Sequence, residues 1–402
     1  VNPWVFHDGF LDLVNLLSRV DDPDRDDMAI PDGAVDALDR AIGVYLDPAD
    51  DKKLARVHSA DAWRACIGEL NLGDPRFLDT APMDQPFCLS VSFSIPHGSQ
   101  TSSMHVWQSP ASDNPKLKDH AVYGSLYRDL AIQIPVDTAS DPYQHIPKRI
   151  MDQDQGRRNR TYAYDYDLAT CLEHHIRYYQ QITGLDRVIG DMLAKLKAQG
   201  LHENTVILFG SDHGLLMGEY GMGGKGLLYD LSAKFPCFVV DPRLPANRRG
   251  LTLEALVSSL DITSTILDYA GITQPREMAG RSLRPLLRGE NTLWRDHLFL
   301  ENLYTGRDTP FSEGIRKGRW KYIRMFDGVA PYSEKDTDFA GRAADFEQLF
   351  DLRSDPAEKV NLIEDHEGKP ILADLRRLCE QGSSDLNTRR SEYRKTHPIT
   401  AR

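Results

Sequence analysis

Three short stretches of the 402-residue chain carry side chains that could do chemistry together. The first is Ser211-Asp212-His213-Gly214, placed where a short apolar strand over 206–209 gives out. In open α/β sheets ligands bind beyond the carboxyl ends of the strands. An Asp beside a His there offers one hard oxygen ligand and one imidazole at a fixed separation, which suits a divalent cation. An Asx-type turn capping the strand would use the same residues for local reasons alone. The second stretch is GEYGMGGKG, from Gly218 to Gly226. Its glycines let the backbone approach a ligand, and Lys225 is a lone ammonium able to hold a tetrahedral oxyanion as a point charge. It fails the GxxxxGK[ST] phosphate-loop pattern because Gly226 follows Lys225, and a solvated lysine in a flexible loop is the alternative. The third is His97, after an apolar run and Pro96, where a histidine can donate to an anion or protonate a leaving oxygen. As a lone residue after a strand, His97 also fits a plain turn. His174-His175 sit inside a long helical pattern and are read as solvated or structural; His105, His120 and His145 could line a pocket.

The elements that must position these groups follow from periodicity. PFCLSVSFSIP, residues 86–96, is a near-continuous apolar run bounded by prolines, which predicts a strand buried on both faces, with Cys88 an inert buried thiol. From 166 to 200 a helix is predicted, with Ile182, Leu185, Ile189, Leu193 and Leu196 on its stripe and Gly200 as its stop. ENTVILFG and FPCFVV read as two further strands, and the order strand, helix, strand is that of a parallel α/β sheet. His97 and the Asp212-His213 pair would then reach the same sheet edge. LDITSTILDYAGI predicts a helix closed by Gly271. Beyond about 295 short strands with turns at KG and DG, and a terminal helix near 371–380, predict a small antiparallel α+β unit. Residues 1–81 look helical and irregular, and 98–160 read as a polar excursion over the surface.

Composition excludes several classes. Sixty acidic against 48 basic side chains give a net charge of −12, which argues against a duplex-DNA binder. With 41% apolar and 27% charged residues the chain is globular, and no apolar run approaches the roughly 20 residues of a membrane span. Five scattered cysteines form no CxxC pair. The first residues, VNPWVFHDGF, match neither a signal nor a transit peptide, so a processed or truncated chain is expected.

Taken in order, PFCLSVSFSIPH, ITGLDRVIGDMLAKLKAQGLHENTVILFGSDHG, GEYGMGGKGLLYDLSAKFPCFVV, LDITSTILDYAGI with AGRSLRPLLRGE, RWKYIRMFDG and LFDLRSDPAEKVNL resemble the formylglycine-dependent sulfatases of the alkaline-phosphatase superfamily. The resemblance spans about 86–362, apart from the excursion after His97. It implies an alkaline-phosphatase-like α/β sandwich: a mostly parallel central sheet between helices, with a small C-terminal α+β subdomain. The main domain would cover 1–295, with 98–160 shaping the pocket, and the subdomain 296–402. Asp212 and His213 fall on calcium-binding positions, Lys225 on the lysine that holds the sulfate group, and His97 on the histidine that assists the leaving oxygen.

Departures from the family pattern are specific. Two adjacent aspartates on a first strand, the Cys/Ser-x-Pro-x-Arg motif whose Cys or Ser becomes formylglycine, and a Gly-Lys-Trp-His-like element are absent from the 402 residues. Tyr220 stands where a His is usual, Lys234 where an Arg is common, and Gly98 follows His97. The resemblance therefore implies a sulfatase acting on a sulfated carbohydrate or similar sulfate ester, with Ca2+ and with its formylglycine on an N-terminal segment outside this chain. This chain alone would then be inactive. Periplasmic or secreted location, a small-molecule or oligosaccharide partner, no nucleic acid and no membrane span complete the expectation. The competing readings are a phosphate or phosphonate ester hydrolase and a catalytically silent binder of sulfated glycans.

Overall fold

The computed structural model describes residues 86–91, 93, 126–138, 141–147, 149–150, 168–276, 278–290, 293–302, 310–326 and 339–396. His97, His105, His120 and the predicted helices of 1–81 lie outside them.

Helix α1 (Leu168–Ala198) is the long helix the periodicity predicted. Its chain turn-out is marked by Gly200 at φ +70° and by the Leu201 N–H bonded to the Leu196 carbonyl at 2.9 Å. The buried face differs from the predicted stripe. Leu185 and Leu196 are buried, whereas Ile182 and Leu193 are exposed, and Cys171, His174, Arg177 and Gln181 lie inside instead. Part of the excursion covers this face: the Gln180 amide donates to the Leu126 carbonyl, and Arg128 pairs with Glu173 at 2.8 Å. Polar positions are thus buried against peptide groups that an apolar-only pattern cannot register.

Strands β1 (Ile207–Gly210) and β4 (Cys237–Val240) pair antiparallel, Ile207 opposite Val240 and Gly210 opposite Cys237. The sheet was expected to be mostly parallel, from the strand, helix, strand order of 86–96, 166–200 and 206–209, and this pair departs from that. The connection explains the difference, because no crossover helix joins them. The chain between passes through the hairpin of β2 (Leu216–Met217) and β3 (Gly223–Gly224) and the four-residue α2 (Asp230–Ala233). Residues 86–91 form no ladder among the described residues. Phe87 and Leu89, like Ile207, pack against Leu196, while Cys88 and Ser90 face outward, so this stretch buries one face and not two, and Cys88 is exposed. Helix α3 (Leu260–Ala270) ends at Gly271, φ +74°, as predicted, and α4 (Arg284–Arg288) follows.

The C-terminal unit is a four-stranded antiparallel sheet in chain order: β5 (His297–Asn302), β6 (Phe311–Lys317), β7 (Trp320–Phe326) and β8 (Phe346–Asp351). The KG turn joins β6 to β7 as expected, and the DG turn lies outside the described residues. Side chains alternate across the pleat. Ile315, Tyr322 and Leu349 meet Leu372 and Leu375 of α5 (Pro370–Thr396), while Ile323, Met325 and Phe350 form the core under residues 216–229. Helix α5 runs well past the predicted end at 380. Gly382 lies in its interior where a Cβ would come within 2.4 Å of the Phe299 ring, so the glycine marks close helix–sheet contact and not a stop. No helix among the described residues is long and apolar enough to cross a membrane.

Candidate functional site

Where β1 ends, the chain turns sharply and the turn is built from its own side chains. Ser211 Oγ donates to the His213 carbonyl at 2.9 Å, and the His213 N–H donates to Asp212 Oδ1 at 3.0 Å. Asp212 thus bonds the N–H of the next residue and not, as an Asx turn would, that of Gly214, and Oδ2 is left for other work. Gly214 is required by contact: its N–H donates to the Ser232 carbonyl of α2 at 2.9 Å, and a Cβ would sit 2.1 Å from the Leu231 carbonyl oxygen.

Asp212, His213 and Lys225 converge. His213 Nδ1 lies 2.8 Å from the Gly214 carbonyl, and Nε2 lies 2.7 Å from Lys225 Nζ and 3.1 Å from Asp212 Oδ2. A carbonyl accepts only, so Nδ1 carries the proton and Nε2 presents its lone pair to the ammonium; this tautomer is assigned from the network. Burial pushes the Asp212 carboxyl up, but hydrogen bonding, with the His213 N–H on Oδ1, and the Lys225 ammonium outweigh it and hold it below the usual carboxylate range. The His213 side chain is 9% exposed and that of Asp212 46% exposed, so the pair opens to solvent on the carboxylate side.

The Asp212 oxygen and the His213 nitrogen lie 3.1 Å apart, close enough to reach one divalent cation; the carboxylate suits a hard ion and the imidazole a softer one. Among the described residues no group of three His, Cys, Asp or Glu forms a larger donor set. Asp212 and His213 thus present two donor atoms side by side. Lys225 brings the third charge, from a loop whose Gly224 and Gly226 both adopt positive φ.

The segment carrying Lys225 rests on the C-terminal sheet. Asn302, fully buried on β5, donates to the Gly226 carbonyl, and the hydroxyl of Tyr229 meets Gln348 of β8. Tyr220 holds φ +59°, uncommon for a non-glycine residue, with its ring buried and its hydroxyl on the Ala357 carbonyl at 2.6 Å. His145 does not reach Asp212; its ring stands edge-on to Tyr220, 4.8 Å between centroids, and it lines a cavity of about 260 Å³ with Tyr143, Phe346, Lys359 and Asn361. His174 is buried in α1, and burial followed by the neighbouring His175 lowers its pKa to about 3, so the structural reading holds. Asn302, Lys321 and Glu358, all tied to this segment, carried no local signal in the sequence.

Two family descriptions match the chain: Sulfatase over residues 75–272, and N-sulphoglucosamine sulphohydrolase, C-terminal, over 218–384. The chain belongs to the sulfatase family. Among curated relatives, it is 30% identical over 321 residues to an arylsulfatase of Clostridium perfringens, covering 77% of this chain and 58% of that protein. It is 29% identical to a choline-sulfatase of Rhizobium meliloti, covering 71% and 48%. The chain therefore spans about half the length of these relatives. A solved structure described as bound to its substrate D-glucosamine-2-N,6-O-disulfate superposes with a TM-score of 0.56 at 19% identity, over 80% of this chain and 69% of that one. That likeness fixes the alkaline-phosphatase-like mixed α/β fold with its C-terminal sheet, and the sulfatase family is the one in which Asp212, His213 and Lys225 find themselves.

Proposed function

We propose that this sulfatase-family chain takes part in hydrolysing sulfate esters, with a sulfated carbohydrate as the substrate class. The observation that carries it is the convergence of Asp212, His213 and Lys225 on one point at the end of β1. Asp212 and His213 would hold a divalent cation, Ca2+ by family resemblance, which supplies Lewis-acid charge when bound. A formylglycine, outside these 402 residues because none of their cysteines lies in a Cys-x-Pro-x-Arg motif, would supply the nucleophilic oxygen. The Lys225 ammonium binds a peripheral sulfate oxygen, and His97 gives its proton to the departing ester oxygen. The carbohydrate class is supported by the disulfated glucosamine of the fold neighbour and by the sulphoglucosamine family description. We divide the chain at 1–295 and 296–402, with 98–160 shaping the pocket, and expect export to the periplasm or beyond the cell.

The absent nucleophile motif favours a second reading, binding of sulfated glycans without cleavage. One experiment separates them. The gene-encoded full-length protein is assayed with aryl sulfate and aryl phosphate, beside its Asp212→Ala and Lys225→Ala variants. Each substitution is expected to lower kcat/KM for aryl sulfate by about 10²–10³-fold, the scale for losing a charge-stabilising group, with the melting temperature nearly kept. Undiminished hydrolysis in either variant ends the assignment, faster phosphate release reassigns the substrate, and glycan binding without turnover selects the second reading.

A further inference from the structure

Lys321 lies on β7 among the side chains that face the site segment, and it is fully buried. A buried ammonium costs several kcal/mol unless it is paired. Lys321 Nζ is 2.6 Å from Asp230 Oδ1 and 3.1 Å from Glu358 Oε1, and the Glu358 side chain is itself 1% exposed. The second Glu358 oxygen accepts the Asp230 backbone N–H, at the first residue of α2. Glu358 holds φ +52°, so its turn adopts an uncommon conformation to deliver this carboxylate. Two residues further along, the Ser232 carbonyl receives the Gly214 N–H, and the backbone of Leu231 and Lys234 fills the space beside Gly214. Helix α2 is only four residues long, so its two ends lie within about one turn of each other. One end is clamped by the Lys321–Glu358 pair, and the other bears on the turn that carries Asp212 and His213.

We infer that Lys321, acting with Glu358 through Asp230 and α2, is a positioning residue for the Asp212-His213 turn. The inference rests on the proposed role of that turn in holding a cation. A purely structural buried ion cluster would also bridge β7 and α2. What distinguishes α2 is that its far end is a single close-packed contact on the turn, with no room at Gly214 for even one added carbon. Loss of the clamp therefore moves Asp212 and His213 relative to Lys225, whose loop is anchored separately by Asn302 on Gly226. A misplacement of about 1 Å at reacting groups can cost 10²-fold in rate, and loss of a residue that orients metal ligands typically costs about 10–100-fold in affinity.

The test uses the full-length protein at a temperature where every variant is folded, reading calcium affinity by calorimetry together with kcat and KM for aryl sulfate. Lys321→Met is expected to weaken calcium binding about 10-fold or more and to lower kcat about 10–100-fold, with KM changed less than about threefold. Lys321→Met paired with Glu358→Gln removes both buried charges; it should recover melting temperature without recovering calcium affinity. Should Lys321→Met fail to fold, Glu358→Gln keeps the size and an acceptor for the Asp230 N–H, and is expected to weaken calcium binding about threefold or more. Variants that melt earlier yet bind calcium and turn over like the parent overturn the inference and leave the proposed function standing. A parent protein that neither binds calcium nor releases sulfate overturns the proposed function, and the inference with it.

Discussion

Residues 211–214 and 216–230 are neighbours in one segment, yet they are held by bonds of opposite range. In the charged turn most hydrogen bonds are local, Ser211 to His213, His213 to Asp212, His213 to Gly214, and the longer ones, His213 to Lys225 and Gly214 to Ser232, stay within the same segment. In the stretch that follows they reach far: Gly226 to Asn302, Tyr229 to Gln348, Tyr220 to Ala357, Asp230 to Lys321. The charged turn keeps Asp212 nearly half exposed, whereas Leu216, Leu227 and Leu228 are wholly buried. Chemistry and stability are thus written into adjacent residues. A turn stabilised by its own side chains can leave oxygen and nitrogen lone pairs aimed outward, because the C-terminal sheet beneath the next residues supplies the free energy of folding.

The largest expected effect that tests this division is at Leu228. Its side chain is fully buried in the cluster with Ile323, Met325 and Phe350, and it also abuts Gly314 of β6. Leu228→Ala should cost about 2–5 kcal/mol of unfolding free energy, from lost transfer energy plus the cavity left behind. Urea unfolding measures it, and kcat measured well below the midpoint should fall less than about threefold. A variant of native stability with a large loss of rate would break the comparison, since the seat would then be part of the chemistry.

Next in size is a pH effect that the seat shows and the turn does not share. Glu301 faces α5 from β5, opposite Glu313 in register and paired with Arg390. Burial, set against Arg390 and aided by Glu313, pushes its carboxyl up to about 7. A carboxyl whose folded pKa is raised favours the folded state while protonated. Its contribution is fully present below the unfolded value of 4.5 and is lost as pH rises to about 7. At 1.36 kcal/mol per unit the loss amounts to at most about 3 kcal/mol. Glu301→Gln should therefore stabilise the protein at pH 8, change little at pH 4, and flatten the dependence between. Unfolding free energies at the two pH values check this; equal stabilisation at both would refute the titration.

The difference in bond range also explains what could be read from the sequence. Ser211-Asp212-His213-Gly214 was legible because its turn is made by its own residues, and Gly271 because a left-handed cap is a local event. Lys225 was legible as a charge in a glycine frame. Lys321 was not, since an isolated lysine in RWKYIRMF reads as a solvent-facing strand residue until Asp230 and Glu358 are placed beside it. Asn302 and Tyr220 were hidden for the same reason, their partners lying 76 and 137 residues away. The terminal helix was read as ending near 380, whereas Gly382 lies inside α5 against the Phe299 ring, a contact no local pattern carries. The antiparallel pairing of β1 and β4 depended on knowing that the chain between them makes a hairpin and not a crossover.

Tyr220 offers the smallest effect and the finest cut, because it belongs to both regions: its backbone is in the GEYG turn and its ring is in the core under the sheet. The left-handed backbone at φ +59° costs on the order of 1 kcal/mol for a residue with a Cβ, so something must hold it there. Two candidates are visible, the buried ring and the hydroxyl on the Ala357 carbonyl. Tyr220→Phe removes only the second. It should lower stability by about 1 kcal/mol, the net worth of one hydrogen bond, with the urea midpoint falling and the slope unchanged. Sulfate release should change less than about twofold if the ring alone fixes the turn. A larger loss of rate than of stability would mean that the tether from Ala357, next to Glu358, also sets where Lys225 stands. The boundary between seat and site would then run through Tyr220 itself.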